Sequence, residues 1–193
     1  MVRPAARLVI EEDLVIDSAR VASVGELAEA LERVAAGDSA ALERVWDLCA
    51  DELFGLALWR TGKRADAEDA VQDVFLKLTR DARPVAQARR PRAYLLGMVH
   101  RAAVDLHRRR RPDPGVDADL CEASNADPGR EMDARKASEL VARLSAKLRE
   151  VVYLKHFSDL TFAEIARATG VPQFTAASRY RLAMRRLRTW MRS

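Results

Sequence analysis

Apolar residues recur at helical spacing through much of this chain, and this periodicity is the feature that most restricts its fold. Between residues 66 and 80 the apolar positions follow a step of three or four: Ala67, Ala70, Val71, Val74, Phe75 and Leu78. An α-helix gathers such positions on a single face, whereas a strand alternates its side chains between two faces. The pattern therefore predicts an amphipathic helix over residues 66–80.

Similar apolar stripes predict further helices on both sides of this one. They cover residues 24–35, about 38–61, 91–111 and the region 140–154. Gly62 suits the end of the second helix, and Pro91 suits the first turn of a later one. A content of only 6% aromatic residues also favours helices over strands. We therefore expect an all-α fold.

Residues 112–132 interrupt the helical pattern with several prolines and glycines and many acids. This composition is typical of an acidic flexible linker. The helices before it can close one small core as a bundle of three or four. We therefore expect two small helical domains, at residues 37–111 and 133–193, joined by the linker. Residues 1–36 form an N-terminal extension to which the sequence assigns no role.

The charge of the chain is unevenly distributed, although the net charge is only +4. Residues 134–193 carry thirteen Lys or Arg and four Asp or Glu, whereas residues 112–133 carry one Arg and seven acids. A basic block of this kind suits a polyanionic partner such as DNA. A well-solvated, Arg-rich surface would have the same composition, so charge alone leaves both interpretations open.

Few of the groups that catalysis or metal binding requires are present. The two Cys and three His have no ligand-like spacing, and the chain has no Gly-rich phosphate loop. We therefore predict no catalytic residue, no metal site and no cofactor, and we regard an enzyme as the least favoured class. The N-terminal segment lacks the apolar core of a signal peptide, and no stretch is long enough to span a membrane. We expect a cytoplasmic protein.

The C-terminal region has the layout of a helix-turn-helix. Thr161 and Glu164 are spaced as a capping box at the start of a short helix, which Gly170 closes. A turn then precedes a helix over residues 174–191, and residues 171–193 contain no acid. In a helix-turn-helix the second helix enters the major groove, where its first residues reach base edges. A basic helix by itself can also be a solvated face or a partner-binding helix.

Three stretches together resemble the sigma-70 family of bacterial sigma factors, in particular its small extracytoplasmic-function members. Residues 66–78 are similar to the helix by which such factors hold the clamp of core RNA polymerase. Residues 91–95 and 105–110 are similar to the helix that opens and reads the promoter −10 element. Residues 144–187 are similar to the −35-binding domain. The resemblance covers roughly residues 38–190, and the three motifs follow the family's order.

This resemblance implies a sigma factor that binds core RNA polymerase and directs promoter-specific transcription initiation, with a sigma-2-like and a sigma-4-like domain. The residues implied in binding the clamp of the β′ subunit are Asp66, Glu68, Asp69, Gln72 and Asp73. Those implied for the −10 element are Arg92, Tyr94, His100, Arg101, Arg108 and Arg109. Those implied for the −35 element are Gln173, Thr175, Ser178, Arg179, Arg181, Arg185 and Arg186, the last two on phosphates. The implied partners are core RNA polymerase, promoter DNA and, as often in this family, an anti-sigma factor, with no insertion into a membrane.

The chain departs from the family pattern at two places that bear on DNA recognition. His100 and Arg101 stand where the family commonly has Arg-Asn. The recognition helix, which usually opens with Thr-Val-Lys-Ser-Arg, has Ala at positions 176 and 177. The first departure predicts an unusual −10 specificity, and the Lys missing from the second weakens the direct carry-over of the family's −35 contacts.

A second class of protein fits part of the same sequence. A helix-turn-helix regulator that acts without binding core polymerase would use its N-terminal helices for dimerisation or sensing. The acidic stripe at Asp66, Asp69 and Asp73 would then be an ordinary solvated face. Charge reversal in this stripe separates the two classes, because only a sigma factor would lose transcription initiation.

Overall fold

A computed structural model of the chain describes residues 18–110 and 139–191, and every element in these two ranges is helical. The N-terminal unit comprises α1 (Ser18–Ala35), α2 (Ala41–Thr61), α3 (Arg64–Arg80), α4 (Arg83–Ala86) and α5 (Pro91–Arg110). The C-terminal unit comprises α6 (Ala146–His156), α7 (Phe162–Thr169) and α8 (Gln173–Met191), and a helical stretch at residues 139–142 precedes it. The all-α prediction is confirmed.

The helix boundaries agree with the sequence patterns within a few residues, with two differences. Helix α1 begins at Ser18, six residues before the predicted start. The turn predicted after α3 contains the short helix α4, which has a proline in its first turn. Gly62 ends α2 as expected, with a left-handed φ of 69° and its N–H donated to the Leu58 carbonyl. The predicted linker at 112–132 lies outside the described residues.

The core of the N-terminal unit lies between α2, α3 and α5. The apolar stripe of α3 faces inward, since Ala67, Ala70 and Val74 are fully buried. Helix α1 packs on the same core through Leu27 and Leu31. Burial of a large aliphatic side chain contributes about 1.5–3 kcal/mol, so this shared apolar face holds the helices together.

The C-terminal unit has a smaller apolar cluster between α6, α8 and the residues before α6. Its buried members are Val141, Leu144, Leu148, Val152, Ala183, Met184 and Leu187. The opposite face of α6 is also buried, because Val151, Tyr153 and Leu154 belong to the core of the N-terminal unit. The two units therefore share one continuous buried region.

Close polar and steric contacts fix α6 against α2. The Tyr153 hydroxyl donates to the Glu52 carbonyl at 2.9 Å, and the buried Arg149 donates from Nε to the Trp59 carbonyl at 3.2 Å. The Tyr153 ring lies directly over Gly55, where an added Cβ would come within 2.2 Å of its hydroxyl oxygen. This approach is possible only because residue 55 has no side chain.

Candidate nucleic-acid interface

The start of α7 is held by the capping box that the sequence predicts. The Thr161 hydroxyl accepts from the Glu164 N–H at 3.3 Å, and the Glu164 carboxylate accepts from the Thr161 N–H at 2.9 Å. Burial alone would raise the pKa of Glu164, but the hydrogen bonds that its carboxylate accepts from the Thr161 hydroxyl and N–H, together with the nearby Arg90 guanidinium, lower it below its ordinary value. Gly170, with a φ of 71°, ends the helix and turns the chain into α8.

Helix α8 is fixed along one face only. Ala176, Ala183 and Leu187 are buried against α6 and α7. The Tyr180 hydroxyl lies 2.9 Å from His156 Nε2, which joins α8 to the end of α6. Because this face is anchored, the opposite face of α8 is held outward in a defined orientation.

The outward face of α8 is a straight stripe of exposed side chains. Phe174, Ser178, Arg181, Arg185 and Arg188 follow one another at steps of four, three, four and three residues, and all five are exposed. At 100° per residue these positions stay within about 40° of one line. Four of them are polar or basic, so the stripe suits the phosphates and base edges of a DNA groove.

The residues implied for −35 recognition all lie on α8, and most are accessible. Gln173, Ser178, Arg181, Arg185 and Arg186 are exposed, whereas Thr175 and Arg179 are partly buried. The resemblance did not point to Phe174, although it is the most exposed large apolar side chain in the described ranges, at 73%. An aromatic residue off the buried face of a basic helix is the sequence signal that could have found it.

The residues implied for −10 recognition lie on α5 but separate into two groups. Tyr94, Arg101 and Arg108 are exposed, and their seven-residue spacing places them along one side of the helix. Arg109 is exposed beside them. Arg92 points inward instead, where its Nε donates to Glu52 at 2.7 Å.

His100, like Arg92, faces protein, because it lies between the two units. Its Nδ1 pairs with the Glu150 carboxylate of α6, and the side chains are only 11% and 2% exposed. One turn earlier on α5, a Cβ at Gly97 would lie 3.2 Å from Ala168 Cα of α7. In this arrangement His100 contacts protein and is not accessible to DNA. Sequence reasoning missed the partner, although an acid inside the apolar run 148–154 was a signal for it.

The residues implied for polymerase binding lie on α3, four of them at its surface. Glu68, Asp69 and Gln72 are exposed, and Asp73 pairs with Lys77 at 2.7 Å on the same helix. Asp66 is buried at 5% exposure, so it supports the fold rather than the surface.

An apolar side chain lies within this acidic surface, and the sequence analysis missed it. Leu76 is 51% exposed and follows Asp69 by seven residues, so the two lie on the same side of α3. On α2, Trp46 is 49% exposed and packs its ring 4.7 Å from that of Phe75. The surface therefore combines acids with two accessible apolar groups, a mixture common at protein interfaces.

Comparison with known proteins identifies the family. The family Sigma-70 region 2 matches residues 46–112, and Sigma-70 region 4 matches residues 134–187. The ECF RNA polymerase sigma factor SigK of Mycobacterium bovis is 30% identical over 169 residues, which cover 82% of this chain and 89% of that protein. SigL of Mycobacterium tuberculosis is 29% identical over 160 residues, covering 80% of this chain and 90% of the relative.

This chain is an extracytoplasmic-function sigma factor. It therefore directs promoter-specific transcription initiation, and the interpretation as a regulator that acts without polymerase is not favoured. Proteins of this family are initiation factors rather than enzymes. The region 2 match begins within α2 and includes α3, α4 and α5, whereas the region 4 match contains α6, α7 and most of α8.

Solved structures support the fold of this sigma factor. The sigma factor RpoE from Bartonella quintana, in complex with the anti-sigma factor NepR, superimposes with a TM-score of 0.64 at 22% identity. The match covers 78% of this chain and 96% of that one. CnrH in complex with the cytosolic domain of CnrY gives a TM-score of 0.59 at 19% identity, covering 86% and 97%. Within residues 18–110 and 139–191, no helix of the sigma factor is long and apolar enough to cross a membrane.

Proposed function

We propose that this sigma factor divides its work among three helices: α3 binds the clamp of core RNA polymerase, α5 reads the −10 element and α8 reads the −35 element. The observation that carries the proposal is the exposed stripe of α8, where an anchored helix presents arginines in one line. Its domains are residues 37–111 and 133–193, joined by the acidic linker 112–132. The extension 1–36 contributes α1 to the first domain through Leu27 and Leu31.

Charge and exposed apolar surface on α3 support the polymerase contact. Glu68, Asp69 and Asp73 can attract a basic clamp surface, which favours fast, salt-sensitive association, and Gln72 can add a hydrogen bond. Leu76 lies among them and supplies the apolar contact that an acidic surface alone lacks. A truncated central apolar anchor typically costs more than about 1 kcal/mol of binding.

The exposed part of α5 supports the −10 contact. Tyr94 offers an aromatic face on which an unstacked base can rest, and Arg101, Arg108 and Arg109 offer positive charge to the DNA backbone. Arg92 and His100 join this surface only after their contacts with Glu52 and Glu150 are broken.

The remaining assignments concern partners and place of action. The structural relatives RpoE and CnrH are described in complexes with NepR and CnrY, of which NepR is an anti-sigma factor. This supports an anti-sigma partner for the present chain. The protein works in the cytoplasm, where it meets core polymerase and promoter DNA, and it performs no chemistry of its own.

Run-off transcription with core RNA polymerase of the source organism tests the proposal. The double variant Asp69→Lys, Asp73→Lys should bind −35 DNA as the wild type does but fail to start transcription. The double variant Glu29→Lys, Glu32→Lys carries the same charge change on exposed sites of α1 and serves as the control. Leu76→Ser should weaken polymerase binding and lower stability only modestly, because half of its side chain is already exposed.

Two results would contradict the assignment to α3. One is equal loss of initiation in the α1 control, which would indicate a general effect of charge. The other is full initiation by the Asp69→Lys, Asp73→Lys variant. If the wild type binds promoter DNA but never supports initiation by core enzyme, the result would favour a helix-turn-helix regulator that acts without core polymerase.

A further inference from the structure

Phe174 is an aromatic side chain that the fold does not use. It lies at the second position of α8 and is 73% exposed, the largest exposed fraction of any large apolar side chain among the described residues. The other exposed large apolar groups lie at the acidic surface (Trp46, Leu76), on the outward side of α5 (Tyr94) or at the far end of α8 (Met191). Because the ring is exposed, it contributes little to folding and is accessible to a partner.

The neighbours of Phe174 identify the class of that partner. The next positions along the exposed stripe are Ser178, Arg181 and Arg185, and residues 171–191 contain no acid. An apolar protein pocket would favour a stripe with several apolar side chains, but Phe174 is the one apolar member of this stripe and Ser178 and three arginines follow it. A basic stripe with one apolar tip fits the major groove, where phosphates and the thymine methyl groups are both within reach of a helix.

We propose that Phe174 reads the −35 element through the 5-methyl group of a thymine. The inference rests on the proposed role of α8, and it adds the chemical feature that this helix recognises. In a helix-turn-helix the first residues of the second helix reach the base edges, and Phe174 holds that position while the arginines lie farther along. The methyl group is the only apolar group that the major groove offers, and it marks one base among four.

Replacement of thymine by deoxyuridine tests this contact directly, because it removes the methyl group and leaves base pairing intact. The −35 element is first selected from random DNA with the reconstituted holoenzyme. Each thymine of the element, on either strand, is then replaced singly. Wild-type holoenzyme should lose affinity about fourfold at one position, the effect of one buried methyl group.

Variants of the full chain then assign the effect to Phe174. Phe174→Ala should bind the thymine promoter about as weakly as the wild type binds the uracil promoter, and it should not respond to the replacement at that position. Met191→Ala, which removes an apolar group 62% exposed at the other end of α8, should keep the fourfold response. Thermal unfolding of Phe174→Ala should match the wild type because the ring is exposed.

The proposal is overturned if no thymine replacement weakens wild-type binding, or if Phe174→Ala responds as the wild type does. An equal loss of affinity for all templates in Phe174→Ala, with the response to uracil retained, would assign the ring to a protein contact in the holoenzyme. Failure to select any −35 element would instead contradict the role of α8 itself, so the two failures are distinguishable.

Discussion

His100 of α5 and Glu150 of α6 form a buried pair that joins the N-terminal unit to the C-terminal unit. Glu150 lies in an apolar run of α6 and is almost fully buried. A buried carboxylate without a partner is costly, so the pair fixes how α6 sits against α5. The same contact removes His100 from the surface that α5 offers to DNA.

We expect Glu150→Ala to lower the free energy of unfolding by about 2 kcal/mol, because it leaves a buried imidazole nitrogen without its acceptor. For a chain of this size the melting temperature should fall by roughly 4–8 °C. Asp73→Ala breaks the exposed pair with Lys77 and should change stability by less than about 0.5 kcal/mol. Thermal unfolding followed by circular dichroism measures both, and equal shifts would contradict the importance of the buried pair.

Gly55→Ala should destabilise the chain, although alanine is the better helix former by about 1 kcal/mol. The added Cβ would overlap the Tyr153 hydroxyl at 2.2 Å and push α6 away from α2. Gly25→Ala on α1, where nothing lies within 4 Å of the added atom, should be neutral or stabilising. Opposite signs of the two effects in thermal unfolding would support the close contact.

A second substitution provides the check on this interpretation. In a Tyr153→Leu background the overlapping atoms are absent, so Gly55→Ala should no longer destabilise. Small-angle scattering of the Gly55→Ala single variant should also give a larger radius of gyration than the wild type. Persistent destabilisation in the Tyr153→Leu background would place the effect within α2 itself.

Thr161→Ala should lower stability at neutral pH by about 1 kcal/mol, because α7 loses its capping side chain. The pKa of Glu164 lies below its ordinary value of 4.5, so its contribution is present above that pH and is lost as the pH falls through the lowered pKa. The difference between wild type and Thr161→Ala should therefore narrow in acid.

Urea unfolding from neutral pH down to about pH 3.5 measures this narrowing. Thr79→Ala is the control, because its hydroxyl donates to the Leu76 carbonyl with no carboxylate involved. Its difference from the wild type should stay constant with pH. A constant difference for Thr161→Ala as well would show that Glu164 takes no part in the pH dependence.

Arg185→Ala should weaken binding to all −35 sequences alike and reduce the slope of log K against log salt by about 0.9, the value of one phosphate contact. Ser178→Ala, about two turns closer to the start of α8, should leave the slope unchanged and relax the preference at one base pair. Fluorescence anisotropy at several salt concentrations measures both. Arg80→Ala, exposed on α3, is the control and should leave the slope unchanged.

Local features of the fold could be predicted from the sequence because they depend on neighbours within one or two helical turns. The buried stripe of α3 follows from residue spacing alone, and the capping box requires only Thr161 and Glu164 three positions apart. The left-handed φ of Gly62 follows in the same way from its place after a helix. The basic character of α8 could also be predicted from the sequence, because residues 171–193 contain no acid.

The contacts between the two units could not be predicted in this way. His100 and Glu150 are 50 positions apart, and Tyr153 meets Glu52 across 101 positions. Periodicity shows which face of a helix is apolar but not which other helix covers it, and α6 is apolar on two faces. For the same reason the resemblance to the family could name His100 as a DNA contact without revealing that it is buried.

The contact between Gly97 of α5 and Ala168 of α7 has a consequence for promoter geometry. Elements centred near −10 and −35 lie about 25 base pairs apart, or roughly 85 Å along the duplex, whereas α5 itself is only about 30 Å long. If α5 and α8 take the −10 and −35 elements as proposed, the contact between the two units would have to loosen before both elements are bound. The sigma factor can respond to the spacing between the two elements only after its units separate. The strength of the contact between the units and the promoter spacing therefore affect the same step, the binding of the second element. A weaker contact between the units should make this sigma factor tolerate more variation in promoter spacing, and a stronger contact should make it more selective for one spacing.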